Sequence, residues 1–336
     1  MHKNDNFWNK AKHIFALAPM EDVTDTVFRE LIINESEPNR LNLVFSEFLS
    51  TDGFCHPVGR DKVLHRFKVN PSELALKNKK NIQLIAQIWG TDPEKFYQTA
   101  QYIQANTPFD GIDINMGCPQ KNIIKKGACS ALISHPDLAK EIIQATTEAT
   151  HLPVSVKTRI GFKKVETENW ISHLLQTPIR ALTIHGRTQK QMSEGQADWN
   201  EIGKVVTLRD EINPHIKILG NGDVLSIEDG NHKIDEYGVD GIMVGRGIFN
   251  NFWMFSSKED VTIEDKLRAM WNHAVLFDNT WKNEKPWVLL RRFFKIYTHH
   301  LPMAAQLRDA VMRTHNINEL QAALNDYRSK LSNISS

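Results

Sequence analysis

The first residue whose surroundings suggest chemistry is Cys118, in the stretch DGIDINMGCPQKNIIKKGACSAL that runs from 110 to 132. An apolar run ends at Asn115, and Gly117, Cys118 and Pro119 follow in a row. Glycine permits a close backbone approach to a ligand and proline stiffens a turn, so the pattern presents a thiol rather than packing one. A thiol placed this way can be a nucleophile, a metal ligand or an acid. No metal-ligand spacing surrounds it and no acyl-transfer pattern follows it. At an ordinary thiol value of about 8.5 it keeps its proton at neutral pH, as an acid must. Cys55 and Cys129 read as small packing residues.

Polar residues close other apolar runs in the same way. They are Pro19-Met20, Gln87, Asn115, Lys157 with Arg159, His185 with Arg187, Asn221-Gly222-Asp223 and Gly245-Arg246. Any one of them alone reads as a satisfied polar residue at a strand end. Their recurrence predicts a shared rim. The segments GNGD (220–223) and VGRG (244–247) are the most informative. Their glycines let backbone N–H groups approach phosphate oxygens, and Arg246 adds charge-assisted hydrogen bonds. Together they predict a phosphorylated cofactor. Lys157 lies in line with the apolar strand VSVKTRIG and suits a flavin, whose reduced ring gathers negative charge. An acid is the role for Cys118 that is compatible with a flavin beside it.

To gather these residues the chain needs eight strands. Short, continuous apolar runs occur at 13–18, 41–47, 82–88, 111–115, 153–158, 181–185, 216–220 and 241–245. Continuity rather than alternation predicts strands buried on both faces. Helical segments lie between most of them. One opens at 91–93 with Thr91 or Asp92 as cap and Pro93 in the first turn, and another repeats that logic with Ser134 and Pro136. Residues 48–81 read as a long, irregular connection, partly a lid. The expected fold class is therefore α/β, a (β/α)8 TIM barrel, with its active site at the C-terminal ends of the strands. A doubly wound sheet is the rival, but the first strand ends in APM and lacks the dinucleotide fingerprint.

The chain has 336 residues, more than the roughly 250–300 at which one core stops growing. The excess falls at the end, where strand-like runs stop and only helical periodicity remains. The expected division is a barrel domain over 1–255 and a small all-helical domain over 256–336. A net charge of +1 excludes a global basic field, so any polyanion would meet a local patch. Candidate patches are Lys121, Lys125 and Lys126, then Lys163 and Lys164, then Arg291, Arg292 and Lys295 in RRFFKIY. Three scattered cysteines fit a reducing compartment, and no segment reads as a signal peptide or membrane span. The expectation is a cytoplasmic monomer without a metal.

LAPMEDVTD, DGIDINMGCPQK, VSVKTRIG, TIHGRTQKQ with ADW, GNGD and GIMVGRGIF occur in that order. Together they resemble the tRNA-dihydrouridine synthase family from about 14 to 253, and in tone its bacterial B-type subgroup. The helical tail corresponds in place to that family's RNA-binding domain. The resemblance implies an FMN-bound barrel that reduces the C5–C6 bond of particular tRNA uridines, with NADPH as reductant. It implies FMN contacts at Ala18, Pro19, Met20, Gln87, Lys157, His185, Asn221, Gly222, Asp223, Gly245 and Arg246. Asn115, Arg159 and Arg187 would line the uridine and flavin site. Cys118 would deliver a proton to C5 after a hydride reaches C6. A uridine in a folded tRNA must first be turned out of its stack.

Two positions depart from the family pattern. Cys129 stands where a small residue, usually glycine, is common, and Ser193 where many members carry an aromatic. Two rival functions each fit part of the sequence. An FMN barrel acting on a small molecule, such as a dihydroorotate or an enoate, explains the loops but not the tail. An RNA-binding or RNA-folding factor with a vestigial site explains the tail but not the loops.

Overall fold

A computed structural model describes residues 7–282 and 284–335; the expected domain limits at 1 and 336 lie outside them. Eight parallel strands close into a barrel in chain order: β1 (Ile14–Leu17), β2 (Leu43–Ser50), β3 (Gln83–Trp89), β4 (Gly111–Asn115), β5 (Val154–Arg159), β6 (Ala181–His185), β7 (Lys217–Asn221) and β8 (Gly241–Val244), which pairs with β1. The TIM-barrel expectation holds. No helix among the described residues is long and apolar enough to cross a membrane.

Alternation along each strand decides what fills the barrel. At its lower end Ile14, Ala16, Leu43, Phe45, Ile85, Ala181, Leu219 and Met243 form one buried cluster with Trp8. Continuing in steps of two toward the C-terminal ends, the same stagger reaches Gln87, Asp113, Asn115, Lys157, His185 and Asn221. The lumen is thus apolar below and polar above, and the polar end is the rim that the sequence predicts. The outward residues pack beneath the surrounding helices in a second, larger core.

Some local expectations need correction. Asp92 caps the helix Pro93–Asn106 as expected, its side chain accepting from Glu94 N at 3.1 Å. Ser134 caps nothing, because it ends a 3-10 turn (Cys129–Ser134) and His135 precedes the helix Pro136–Glu148. The segment 48–81 is not irregular. β2 runs on to Ser50 past a register shift between Phe45 and Phe48, and the helices Thr51–Cys55, Arg60–Leu64 and Pro71–Lys79 follow.

Beyond β8 the chain is helical, over Ile263–Trp281, Arg291–Thr298, Ala304–Met312 and Ile317–Ser335. These helices pack on the helix Thr26–Glu35, where Phe28 meets Phe293 at 5.2 Å and His273 at 6.1 Å. Trp281 Nε1 donates to Asp25 Oδ2 at 2.8 Å, and Lys285 Nζ lies 3.1 Å from the same oxygen. The loop after β1 therefore has the helical segment directly against it.

Candidate active site

The ends of β7, β8, β1, β5 and β6 surround a cavity of about 520 Å3. Ala18, Pro19, Met20, Lys157, His185, Arg187, Asn221, Gly222, Asp223, Gly245 and Arg246 all line it, and Ser193 stands at its edge. That volume is within the roughly 300–1,000 Å3 typical of small-molecule sites. Gly222 has φ +124°, and a Cβ there would stand 2.6 Å from the Ala197 methyl, so the turn demands glycine. At Gly245 the space is open, the nearest atom to an added Cβ being Ala18 Cβ at 3.9 Å. Arg246 is exposed and has no hydrogen-bond or ion-pair partner among the described residues. A bare guanidinium beside two glycine turns suits a phosphate group.

Charge inside the cavity is positive. Lys157 Nζ donates to Asn221 Oδ1 at 2.9 Å, and Asn221 Nδ2 donates to Met243 O at 2.8 Å. Desolvation, and then Arg159 nearby, pull the Lys157 ammonium down to about 8. Arg187 Nη2 reaches both oxygens of Asp223 at 2.7 and 2.6 Å, which holds that carboxyl below its ordinary range against the opposing effect of burial. Arg187 Nη1 also lies 3.2 Å from His185 Nε2. A guanidinium only donates, so Nε2 is the acceptor and the ring proton sits on Nδ1. Burial, followed by the cations at 157, 159, 187 and 246, holds His185 far below its ordinary value and neutral. Asp223 is therefore spent on Arg187, while cationic groups remain available to an anionic, phosphate-bearing ligand.

Asn115, Gln87 and Arg159 do not line this cavity. Gln87 is fully buried, with Nε2 donating to Asp113 Oδ2 at 2.7 Å and Oε1 accepting from Asn115 Nδ2 at 3.0 Å. Asn115 Oδ1 accepts from the N–H groups of Gly117 and Cys118, each at 3.0 Å. Arg159 donates to the carbonyls of Gly117, Thr188 and Met192 at 2.6, 3.0 and 2.8 Å. These three residues shape the loops around the site from behind. Gly117 is likewise buried, its close approach being to the β5 backbone at Thr158 rather than to open space.

Cys118 opens instead into a second, larger cavity of about 900 Å3, lined also by Met20, Glu21, Phe48, Arg66, Trp89, Gln120, Asn122 and Lys126. Met20 is common to both cavities. The thiol differs from the sequence reading. A hydrogen bond from Cys129 lowers Cys118 to about 7, with burial opposing and the Gln120 N–H and Arg159 assisting. Cys129 is buried, as a packing residue should be, yet it also acts on its neighbour, and burial raises its own thiol well above the ordinary value.

Close to Glu21, Glu47 Oε1 accepts from Asp22 N at 2.8 Å, and Glu47 Oε2 lies 3.6 Å from Lys285 Nζ. Burial pushes the Glu47 carboxyl up to about 7, with Lys285 opposing. Glu21, Asp22 and Glu47 bring carboxylate oxygens within 4.8 Å of one another, but Arg66, Lys285 and Arg292 already pair with them. Asp113, Glu47 and Trp89 were not singled out from the sequence. For the two acids a signal existed, a carboxylate inside an otherwise apolar strand run. The basic patches divide. Lys126 lines the second cavity with Nζ 5.8 Å from the Trp89 ring, and Lys121, Lys125, Lys163, Lys164 and Lys295 are exposed. Arg291 is engaged by Thr314 O at 2.9 Å and Arg292 by Asp22 O at 3.1 Å. Phe293, Phe294 and Tyr297 are buried in the helical core.

Residues 16–333 match the model of the family described as dihydrouridine synthase (Dus). A probable tRNA-dihydrouridine synthase of Staphylococcus aureus (strain MRSA252) is 41% identical over 331 residues, 97% of each chain. One from Staphylococcus epidermidis (strain ATCC 35984) is 40% identical over 331 residues, 97% of this chain and 98% of its own. Probable tRNA-dihydrouridine synthase 2 of Bacillus subtilis (strain 168) is 40% identical over 330 residues, with the same coverage. Among solved structures, morphinone reductase in complex with tetrahydroNAD overlays with a TM-score of 0.46 at 10% identity, over 70% of this chain and 83% of that one.

Proposed function

The chain belongs to the dihydrouridine synthase family, and on that premise we propose that it reduces the C5–C6 double bond of specific tRNA uridines, using FMN and NADPH. The observation that carries this reading is the pair of adjoining cavities: one cationic and glycine-walled, the other holding Cys118, with Met20 in the wall of both.

The residues of the first cavity fit FMN. Arg246 and the backbone at Gly222 and Gly245 would hold its phosphate, and Lys157 and neutral His185 would meet its ring. When bound, the flavin supplies the hydride that adds to C6 of uracil. Lys157 contributes positive charge where the reduced cofactor is anionic, and its place is set by Asn221. Neutral His185 offers a hydrogen bond without adding a charge that would compete with Lys157. Cys118 delivers its proton to C5, leaving a thiolate that regains a proton from solvent. The second cavity receives the base, turned out of the tRNA at a cost of a few kcal/mol. Phe48 and Trp89 give it apolar walls, and Lys126 places a cation at the rim.

In the same reading residues 1–255 form the catalytic domain and 256–336 a tRNA-binding domain, and the protein works as a cytoplasmic monomer. The test is to reduce the flavin of purified protein with NADPH and follow its reoxidation. Unmodified tRNA reoxidises it, while orotate and small enones do not. Cys118→Ala retains the flavin and its reduction but slows reoxidation by tRNA by about 10²–10⁴, the usual contribution of a positioned acid. Reoxidation by enones with none by tRNA would assign the protein to small-molecule chemistry. Dihydrouridine mapping in tRNA from cells lacking the protein then identifies the position.

A further inference from the structure

The hydrogen bonds behind Cys118 all run one way. The N–H groups of Gly117 and Cys118 donate to Asn115 Oδ1, both at 3.0 Å. Asn115 Nδ2 donates to Gln87 Oε1 at 3.0 Å, and Gln87 Nε2 donates to Asp113 Oδ2 at 2.7 Å. From the other side the Ser155 hydroxyl donates to Asp113 Oδ1 at 2.6 Å. Asp113, Gln87 and Ser155 are buried, so no water competes for these groups.

A side-chain amide can be turned end for end, exchanging donor for acceptor. The two amides here cannot turn independently. Reversing Gln87 sets its NH2 against that of Asn115, and reversing both sets the Asn115 NH2 against two backbone N–H groups. An ionised carboxylate has no such choice, because both oxygens accept. Burial pushes the Asp113 carboxyl up to about 6, which leaves it ionised at neutral pH.

We propose that Asp113 is a positioning residue: as the terminal acceptor it fixes the amide sense of Gln87 and Asn115, and through them holds the Gly117–Cys118 backbone at the cavity. The proposal rests on the reading of Cys118 as the proton donor. It assigns Asp113 no contact with substrate or cofactor. It also explains why Gln87 is sealed in the barrel, since its amide joins the acid to the loop.

The test uses the full-length, flavin-loaded protein. Asp113→Ala removes the terminal acceptor. The rate at which iodoacetamide alkylates Cys118 is followed across neutral pH, with peptide mass spectrometry separating Cys118 from Cys55 and Cys129. The alkylation midpoint rises from about 7 toward the ordinary thiol value, because the loop no longer holds Cys118 against Cys129 and the Gln120 N–H. Reoxidation by tRNA slows by about 10²-fold, the scale of a 1 Å misplacement, while reduction by NADPH is unchanged. Asp113→Asn stays close to wild type in all three. Its carbonyl oxygen still accepts from Gln87, and its NH2 donates to Ser155 Oγ.

An unchanged midpoint and unchanged reoxidation in Asp113→Ala would overturn the proposal. So would a loss in Asp113→Asn as large as in Asp113→Ala, which would assign the effect to charge near Lys157. Should Asp113→Ala fail to fold, reversing the relay decides the matter. Asn115→Asp alone sets acceptor against acceptor and slows alkylation of Cys118. The double variant Asp113→Asn with Asn115→Asp reverses the two links through Gln87, while the Gly117 and Cys118 N–H groups still donate to residue 115, and recovers it; no recovery counts against the relay. If wild-type flavin is not reoxidised by tRNA at all, the functional reading fails, and the alkylation series still judges the relay.

Discussion

The buried Cys129 side chain packs against Cys118, in the cluster it forms with Ile123 and Ala128. The Cys129 thiol beside it favours the Cys118 thiolate and brings its value to about 7, against the effect of burial. With Cys118 as the proposed acid, which works only while protonated, the tRNA-dependent step falls as pH rises through about 7, approaching tenfold per pH unit. Cys129→Gly removes that thiol, and the falling limb moves to higher pH. Cys129 has φ +53°, a left-handed conformation that costs a non-glycine residue roughly 1–2 kcal/mol, so glycine also relieves strain there. Stopped-flow reoxidation against pH follows the limb in both proteins, and a limb that stays in place would show that Cys129 does not set the thiol.

Arg187 links Asp223 to His185, and its loss is felt at both. In Arg187→Met the Asp223 carboxylate loses its ion-pair partner and keeps the Ala197 N–H at 2.7 Å, and His185 loses the donor that sets its tautomer. Flavin affinity falls roughly tenfold to a hundredfold, the scale of a charged hydrogen bond lost, read by fluorescence titration. Asp223 is held below its ordinary value, so its contribution to stability is complete above about pH 4 and disappears as pH falls through the depressed value. The variant weakens this acid-side dependence, because only the Ala197 N–H and the more distant Arg246 then favour the carboxylate.

Arg29 and Glu73 are both fully buried, 2.6 Å apart, and join the helix Thr26–Glu35 to the helix Pro71–Lys79. Arg29→Met leaves a carboxylate buried with only Thr26 to serve it. The expected cost is about 3–5 kcal/mol in urea unfolding, with an unchanged slope. The double variant Arg29→Met with Glu73→Leu regains most of that loss. A single variant with full stability would mean that water reaches Glu73.

Trp89 stands at the end of β3 in the wall of the larger cavity. If the turned-out base lies against it, Trp89→Ala weakens tRNA binding by roughly 1–3 kcal/mol, the value of one stacking platform. The effect falls on KM for tRNA and leaves reduction by NADPH untouched. Steady-state kinetics with a single tRNA transcript distinguishes this from a general loss of activity.

The barrel was legible because strands covered on both faces write continuous apolar runs. β4 and β6 coincide with GIDIN and ALTIH residue for residue. β2 was read short, ending at Glu47, because the register shift at Ser46–Glu47 places polar residues inside the strand. The gathering of polar residues around the smaller cavity was legible for a related reason: parallel strands end together, so their last polar residues must meet. What could not be read was the turn that returns the chain to Cys129 beside Cys118. It depends on a positive φ at a residue that rarely adopts one. Gln87 sits at a strand end in the sequence, yet its amide is consumed behind the wall, because Asp113 lies on the next strand in register with it. In the same way Arg291 and Arg292 read as free cations and are held by Thr314 and Asp22.

The loop from Met20 to Asp25 is anchored at both ends. Met20 forms a wall of both cavities, and Asp25 is gripped by Trp281 and Lys285 from the helical segment. Between them Arg292 reaches Asp22, and Asp22 reaches Glu47. Where such a strut moves with a ligand on one side it couples that occupancy to affinity on the other, and thermodynamic reciprocity makes the coupling equal in both directions. An RNA that draws the C-terminal helices toward itself changes how tightly the barrel holds its ligand by the same factor that the ligand changes the grip on RNA. If the helical appendage binds tRNA as proposed, it is then an effector arm for the barrel's chemistry as well as a handle.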